Sequence, residues 1–285
     1  MKPPAQAVLA CVLLTSATAG IAQQATFSVA VDAVRLDALV TDGGRLVRGL
    51  GLADFEVIDN KVPQQLDVVS FERAPLRVTL AFDMSVSVTG ERLEHLRAAG
   101  QAVLDGLRAD DEAQLLTFSH QVVRRQRSTS NVALLRAALN ETLPEGSTSL
   151  FDGAFAATTL GESTDGRNLV LLFSDGVDTA SWLSADQALT SARRANVVVY
   201  SAAVRGGASL AFLRDLGRQT GGDVIEVEST RDLRGRFQSI LEEFRQRYLI
   251  SYTPRGVDRN GWHDVTVRVK GRSATVRTRP GYQVD

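Results

Sequence analysis

From Leu76 to about Arg247 the chain alternates short, strongly apolar runs with stretches of helical periodicity, and this alternation limits the possible folds more than any other feature. The apolar runs are Val78–Phe82, Gln114–Phe118, Asn168–Phe173, Val197–Val204 and Val224–Val227. Between them the spacing of apolar residues predicts helices over Glu91–Leu107, Ala133–Asn140, Leu150–Leu160, Ala185–Ala195, Leu210–Thr220 and Asp232–Arg247. A strand that is apolar on both faces needs cover on both sides, and helical crossovers supply it. The expected class over 76–247 is therefore α/β, a Rossmann-like, mostly parallel sheet with helices on both faces. Ligands of such sheets bind where loops leave the carboxyl ends of the strands.

The flanks read differently. Residues 27–73 carry short alternating runs, Phe27–Val34, Leu36–Val40, Phe55–Asp59 and Leu66–Phe71, broken by turn signals at Asp42-Gly43-Gly44 and Asp59-Asn60-Lys61. They predict a small, sandwich-like β unit. Residues 248–285 return to β with Tyr248–Tyr252, His263–Lys270 and Ala274–Thr278, and Asp258–Gly261 is read as a hairpin turn. Strands this few need partners, so the two β segments are expected to pack together beside the α/β domain. Arg245, Arg247, Arg268, Lys270, Arg272, Arg277 and Arg279 gather positive charge in this last part. Alternation turns Arg268 and Lys270 outward, so the cluster is read as a solvated strand face rather than a polyanion site.

Residues 1–22 have the form of an export signal. Lys2 precedes the apolar run Ala7–Leu14, and Ala17-Thr18-Ala19 and Gly20-Ile21-Ala22 offer small-residue cleavage sites, of which the second is preferred. The single cysteine, Cys11, lies inside the apolar run and is read as part of it rather than as a lipid-attachment site. No later stretch reaches the roughly 18 apolar residues of a membrane span, so the mature chain is expected to lack one and to be periplasmic or secreted. A formal net charge of −1 gives no field to gather nucleic acid, and none is expected as a partner.

The chemistry-bearing residues sit at the strand ends. Val78–Phe82 runs into Asp83-Met84-Ser85-Val86-Ser87, a carboxylate followed by two hydroxyls at alternate positions. Asn168–Phe173 runs into Ser174-Asp175-Gly176, and Gly146-Ser147-Thr148 opens the helix at Leu150. Hard divalent cations take oxygen ligands and tolerate retained water, which suits carboxylates mixed with hydroxyls. Taken one at a time, each residue has an ordinary alternative. Asp175 suits a turn, Ser85 and Ser87 suit caps before the Glu91 helix, and Thr148 suits the N-cap of the Leu150 helix. Asp152 is read as a favourable first-turn carboxylate, and Asp178 as a rim residue rather than a ligand.

Together, Asp83-x-Ser85-x-Ser87, Thr148 and Asp175-Gly176, in that order, resemble the metal-ion-dependent adhesion site of von Willebrand factor A domains. Beyond the domain, Gly49–Asp59, Ser174–Ser181, Arg247–Tyr252 and Arg279–Tyr282 resemble exported VWFA-related proteins of Acidobacteria. The resemblance implies a Mg²⁺ ion (or Mn²⁺ or Ca²⁺) held by Asp83, Ser85, Ser87, Thr148 and Asp175. One coordination position would remain for an Asp or Glu of a protein partner. It also implies a non-enzymatic binding module and, by analogy, a last helix (Asp232–Arg247) that shifts on binding.

Other chemistries find little support. His95, His120 and His263 show no zinc spacing, and His95 and His263 are read as surface residues. There is no Gly-x-Ser-x-Gly elbow, and Arg205–Ser209 lacks the lysine of a phosphate-binding loop. A metal-dependent hydrolase and a scaffold with a loop-stabilising metal remain the alternatives.

Overall fold

The computed structural model describes residues 33–71, 74–175, 177–204 and 210–284, which fall in one compact unit. Residues 1–22, expected to be an export signal, the expected strand over 27–32, Gly176 and the glycine-rich Arg205–Ser209 lie outside the described residues. Five strands come first: β1 (Val34–Asp42), β2 (Arg45–Leu46), β3 (Phe55–Asp59), β4 (Val62–Gln64) and β5 (Leu66–Ser70). The α/β part follows as β6 (Leu76–Asp83), α1 (Glu91–Asp105), β7 (Glu112–Phe118), β8 (Val122–Thr129), α2 (Val132–Glu141) and α3 (Leu150–Gly161). It continues through β9 (Arg167–Ser174), α4 (Ala185–Arg194), β10 (Val198–Val204), α5 (Leu210–Thr220), β11 (Asp223–Val227) and α6 (Leu233–Arg245). The chain closes with β12 (Tyr248–Tyr252), β13 (Gly261–Val269), β14 (Thr275–Arg277) and β15 (Gly281–Val284).

The central sheet has the order β11-β10-β9-β6-β7-β8 and is parallel except for β8. Its two faces are both dry. Leu80, Phe82, Leu169 and Leu171 pack on one side with Leu96 and Val103 of α1, Leu139 of α2 and Phe237 of α6. Ala81, Val170 and Leu172 pack on the other with Leu150 of α3, Ala188 of α4 and Leu213 of α5. β6 and β9 lie side by side in the middle and are covered on both faces, which is why Leu80–Phe82 and Leu169–Phe173 are apolar at consecutive rather than alternate positions. The mostly parallel α/β class read from the periodicity is the observed one.

The β8 strand had no counterpart among the expected elements. Its sequence Val-Val-Arg-Arg-Gln-Arg-Ser-Thr is half-exposed and polar, as an edge strand can be, and gives no apolar alternation to read.

Neither flanking segment holds a sheet of its own. One sheet has the order β14-β1-β12-β5, with β2 beside β1, and the other β15-β13-β3-β4, so each takes strands from both ends of the chain. Their inner faces share one core, in which Leu36, Tyr248 and Ile250 meet Phe55, Val57, Val265 and Val267. The expected Asp258–Gly261 hairpin does not form. β12 and β13 belong to different sheets, so this segment carries the chain across the sandwich.

A buried polar cluster ties the two sheets together. Asp59 Oδ2 accepts hydrogen bonds from Tyr252 (3.0 Å) and Tyr282 (2.7 Å), and Asp59 Oδ1 lies 2.8 Å from His263 Nδ1. Burial pushes both phenols well above their ordinary range, which keeps them as donors. His263 is therefore buried, not the surface residue expected from sequence. It shares strand parity with Val265 and Val267, and that parity faces inward.

The arginine cluster also divides. Arg268, Lys270 and Arg272 are exposed, but Arg247 is fully buried. Its Nη1 donates to the Asp37 carbonyl (3.2 Å) and its Nη2 to the Tyr200 hydroxyl (2.6 Å). Arg277 donates to Glu243 at 2.6 Å and pairs with Asp223, and Arg245 holds Asp111 at 2.5 Å. Arg167, at the start of β9, donates through Nε to Asp37 of β1 at 2.6 Å, and both side chains are largely buried. The contacts of Arg167, Arg247 and Arg277 join the sandwich to the α/β domain, while the Arg245–Asp111 pair lies within the α/β domain.

Removing one partner of a buried pair leaves the other charge without compensation. Asp37→Ala is expected to lower unfolding free energy by about 3–5 kcal/mol in urea titration. Arg268→Ala, which removes only an exposed charge, should change it by less than about 0.5 kcal/mol.

Candidate metal centre

The parallel register of β6 and β9 pairs Phe82 with Phe173, so both strands end at the same level. Asp83 closes β6, and Asp175 follows the last residue of β9. The two carboxylates thus reach one rim of the sheet. Asp83 is fully buried: its Oδ1 accepts from the Ser85 amide (2.9 Å) and its Oδ2 from the Ser174 hydroxyl (2.7 Å). Burial pushes its carboxyl above the ordinary range against these hydrogen bonds, and the negative charge of Asp175 adds to the rise.

The hydroxyls form a chain across the rim. Ser85 Oγ lies 2.9 Å from Ser87 Oγ, and Ser87 Oγ donates to Asp175 Oδ1 at 2.7 Å. Thr148 is brought in through its backbone. The Val86 amide donates to the Gly146 carbonyl (3.1 Å), while the Thr179 and Ala180 amides both donate to the Thr148 carbonyl (2.8 and 2.9 Å). The loop carrying Thr148 therefore lies between the loops after β6 and β9. Gly146 makes that path possible: it has φ of 66°, and a Cβ there would come within 2.0 Å of His120 Nδ1.

The helix-cap alternatives for Ser85, Ser87 and Thr148 are not the ones observed. Gly90, not either serine, occupies the N-cap of α1, and Ser149, not Thr148, occupies that of α3. Asp178 does serve a helix end: it accepts from the Phe151 amide (3.3 Å) and from Ser181 Oγ (2.5 Å). Asp152 pins the next loop, accepting from the Trp182 and Leu183 amides at 2.9 Å each.

Among the described residues no three His, Cys, Asp or Glu side chains gather as a metal cluster. A cation at this rim would rely on two carboxylates and neighbouring hydroxyls. That donor set is all oxygen, partly buried and of charge −2, which fits a hard divalent ion.

The model of the von Willebrand factor type A domain matches residues 78–240, more than half of the chain. The chain belongs to the von Willebrand factor type A domain family. The A-type domain is the α/β part, with the sandwich built from the segments on either side.

Among solved structures, the von Willebrand factor type A protein of Catenulispora acidiphila is 11% identical with a TM-score of 0.55, over 87% of this chain and 72% of that one. Proximal thread matrix protein 1 of the mussel byssus, solved with zinc in its MIDAS motif, is 16% identical with a TM-score of 0.55. That match covers 65% of this chain and 49% of the mussel protein. The uncharacterised Synechocystis protein sll0103 is 30% identical over 83 residues, 28% of this chain and 20% of its own length. This chain thus spans about half of the mussel protein and a fifth of the cyanobacterial one.

Two residues of the rim were absent from the sequence-based set. Ser174 supports Asp83 from the end of β9, but a lone serine closing an apolar run carries no distinguishing signal. Arg92 Nη1 donates to Asp175 Oδ2 at 2.7 Å. It did leave a trace in the sequence, because a cation in the first turn of a helix opposes the helix dipole.

The raised Asp83 pKa means that folding disfavours its ionised form. At neutral pH, above the unfolded carboxyl's ordinary range, the ionised side chain costs stability. Asp83→Asn should leave the melting temperature in EDTA unchanged or raise it by about 2–4 °C per kcal/mol regained. The same variant should lose any melting shift produced by Mg²⁺ or Mn²⁺, as read by scanning calorimetry.

Proposed function

We propose that this A-type domain is an exported, non-enzymatic binding module that recognises a carboxylate of a protein partner through a divalent cation. Asp83, Ser85, Ser87, Thr148 and Asp175 would hold the ion, with Mg²⁺ or Mn²⁺ preferred for an all-oxygen set. The observation that carries this reading is the pair of carboxylates, Asp83 and Asp175, buried at one rim and joined by the Ser85–Ser87 hydroxyl chain. Two carboxylates balance a divalent ion, so an acidic group from outside would meet no excess of negative charge.

Each protein group has a separate task in this reading. The Ser85 amide and Ser174 hydroxyl orient Asp83, and Ser87 orients Asp175. The backbone bonds of Thr148 hold its loop against both others. When bound, the ion supplies an open coordination position for the partner's oxygen. The loops that carry the ligands also carry exposed apolar side chains: Val86 (63% exposed), Val177 (58%) and Trp182 (94%). A large indole left in solvent on a backbone pinned by Asp152 suits a protein surface better than a small ion or sugar.

The mussel protein with zinc in its MIDAS motif supports the choice of a divalent ion, and the signal-like residues 1–22 support export. No helix among the described residues is long and apolar enough to cross a membrane.

The test is a pull-down from the native envelope with the mature chain as bait. A partner should be retained in Mg²⁺, released by EDTA and lost with Asp175→Ala. Retention in EDTA, or Mg²⁺-dependent turnover of a generic phosphoester abolished by Asp83→Ala, would overturn the proposal.

A further inference from the structure

Arg92 lies in the first turn of α1, next to Glu91 and two positions from the left-handed Gly90 that starts the helix. Its Nη1 donates to Asp175 Oδ2 at 2.7 Å and to the Ser87 carbonyl at 3.3 Å. The two side chains are unequal: that of Asp175 is 1% exposed, that of Arg92 51%. A carboxylate so deeply buried needs a counter-charge, and Asp83 beside it adds to the demand rather than meeting it. The guanidinium reaches in from solvent to supply that charge, against the preference of its own helix end.

We propose that Arg92 is the internal counter-cation of the metal-free centre, and that a divalent ion enters by displacing it from Asp175. This rests on the metal reading above and adds a regulator to it. Asp83 and Asp175 together carry a charge of −2. With Arg92 in place the rim is at −1, with a divalent ion alone it is neutral, and with both it is at +1. The guanidinium and the ion would compete for the same carboxylate, so the ion's affinity is set by the exchange and not by the five ligands alone. Because the Arg92 side chain is half in solvent, it can leave Asp175 without unpacking any part of the core. Once displaced it stands at the rim as a free positive charge, which favours an anionic over a neutral partner group.

The experiment is titration of EDTA-stripped protein with Mg²⁺ and with Mn²⁺, by calorimetry, alongside melting curves in EDTA and in saturating metal. Arg92→Gln should bind the metal about tenfold more tightly than wild type, which is the effect of about 1.4 kcal/mol. It should melt lower in EDTA, where Asp175 has lost its partner, and alongside wild type in saturating metal. Arg92→Lys, which keeps the cation, should stay close to wild type in both. Arg231→Gln is the control for long-range charge: Arg231 faces Glu91 at 3.8 Å and does not touch Asp175.

Unchanged metal affinity and unchanged melting in Arg92→Gln overturn the exchange while leaving the metal site standing. So does an equal gain in Arg231→Gln, since the effect would then be general electrostatics. If wild type and Arg92→Gln both fail to bind Mg²⁺ or Mn²⁺, the metal reading itself falls, and the exchange with it.

Discussion

The parallel pairing of β6 with β9 is the contact on which the remaining structure depends. Its register runs from Leu76 opposite Arg167 to Phe82 opposite Phe173, and apart from the half-buried Arg77 both strands are buried throughout. Side chains alternate between the two helical layers, so each strand takes part in both cores of the α/β domain. The same register decides what happens at the two ends. At the carboxyl end it leaves Asp83 and Asp175 side by side. At the amino end it places Arg167 where Asp37 of the sandwich can reach it.

At the carboxyl rim the consequence is electrostatic. Both carboxylates are removed from water, and it is chiefly this burial, with the charge of Asp175 as a smaller addition, that raises the pKa of Asp83. Among the described residues no buried basic side chain relieves this. The fold uses hydrogen-bond donors, from the Ser85 amide and the Ser174 and Ser87 hydroxyls, and one guanidinium reaching in from solvent. A rim held in this way has lasting affinity for positive charge and a surface position from which to take it. That is the physical basis for reading it as a site rather than as a set of helix caps.

At the amino end the sandwich is joined by polar groups rather than by a continuous apolar core. Asp37, Arg167, Arg247, Tyr200, Glu243 and Arg277 are linked by hydrogen bonds and ion pairs. Tyr200, pushed up to about 12 mainly by burial, stays a phenol and accepts from Arg247. Arg247 lies two residues beyond the end of α6 and immediately before β12, so the domain's final helix and the sandwich meet at one fully buried cation. Interleaving strands from both flanking segments closes the sandwich around the inserted domain, since the first five strands pair with one another only as β1–β2 and β3–β4 and the last four only as β13–β15.

Sequence by itself determined the α/β class, because burial on both faces of a parallel strand demands consecutive apolar residues, as at Leu80–Phe82 and Leu169–Phe173. It also determined the candidate ligands, because Asp83, Ser85, Ser87, Thr148 and Asp175 stand at strand and helix ends whose positions follow from those runs. Only the tertiary structure decided what pairs with what across long separations. The edge strand β8 is polar and shows no period. The partition of β12 and β13 between sheets depends on β1 and β3, some two hundred residues away. His263 and Arg247 look like solvent-facing residues until Asp59 and Asp37 are brought to them. Arg92 likewise belongs to the site through a contact with Asp175, 83 positions on, that no local pattern encodes. Periodicity reports how a residue is buried, but the partner that makes a buried charge tolerable is supplied by the fold.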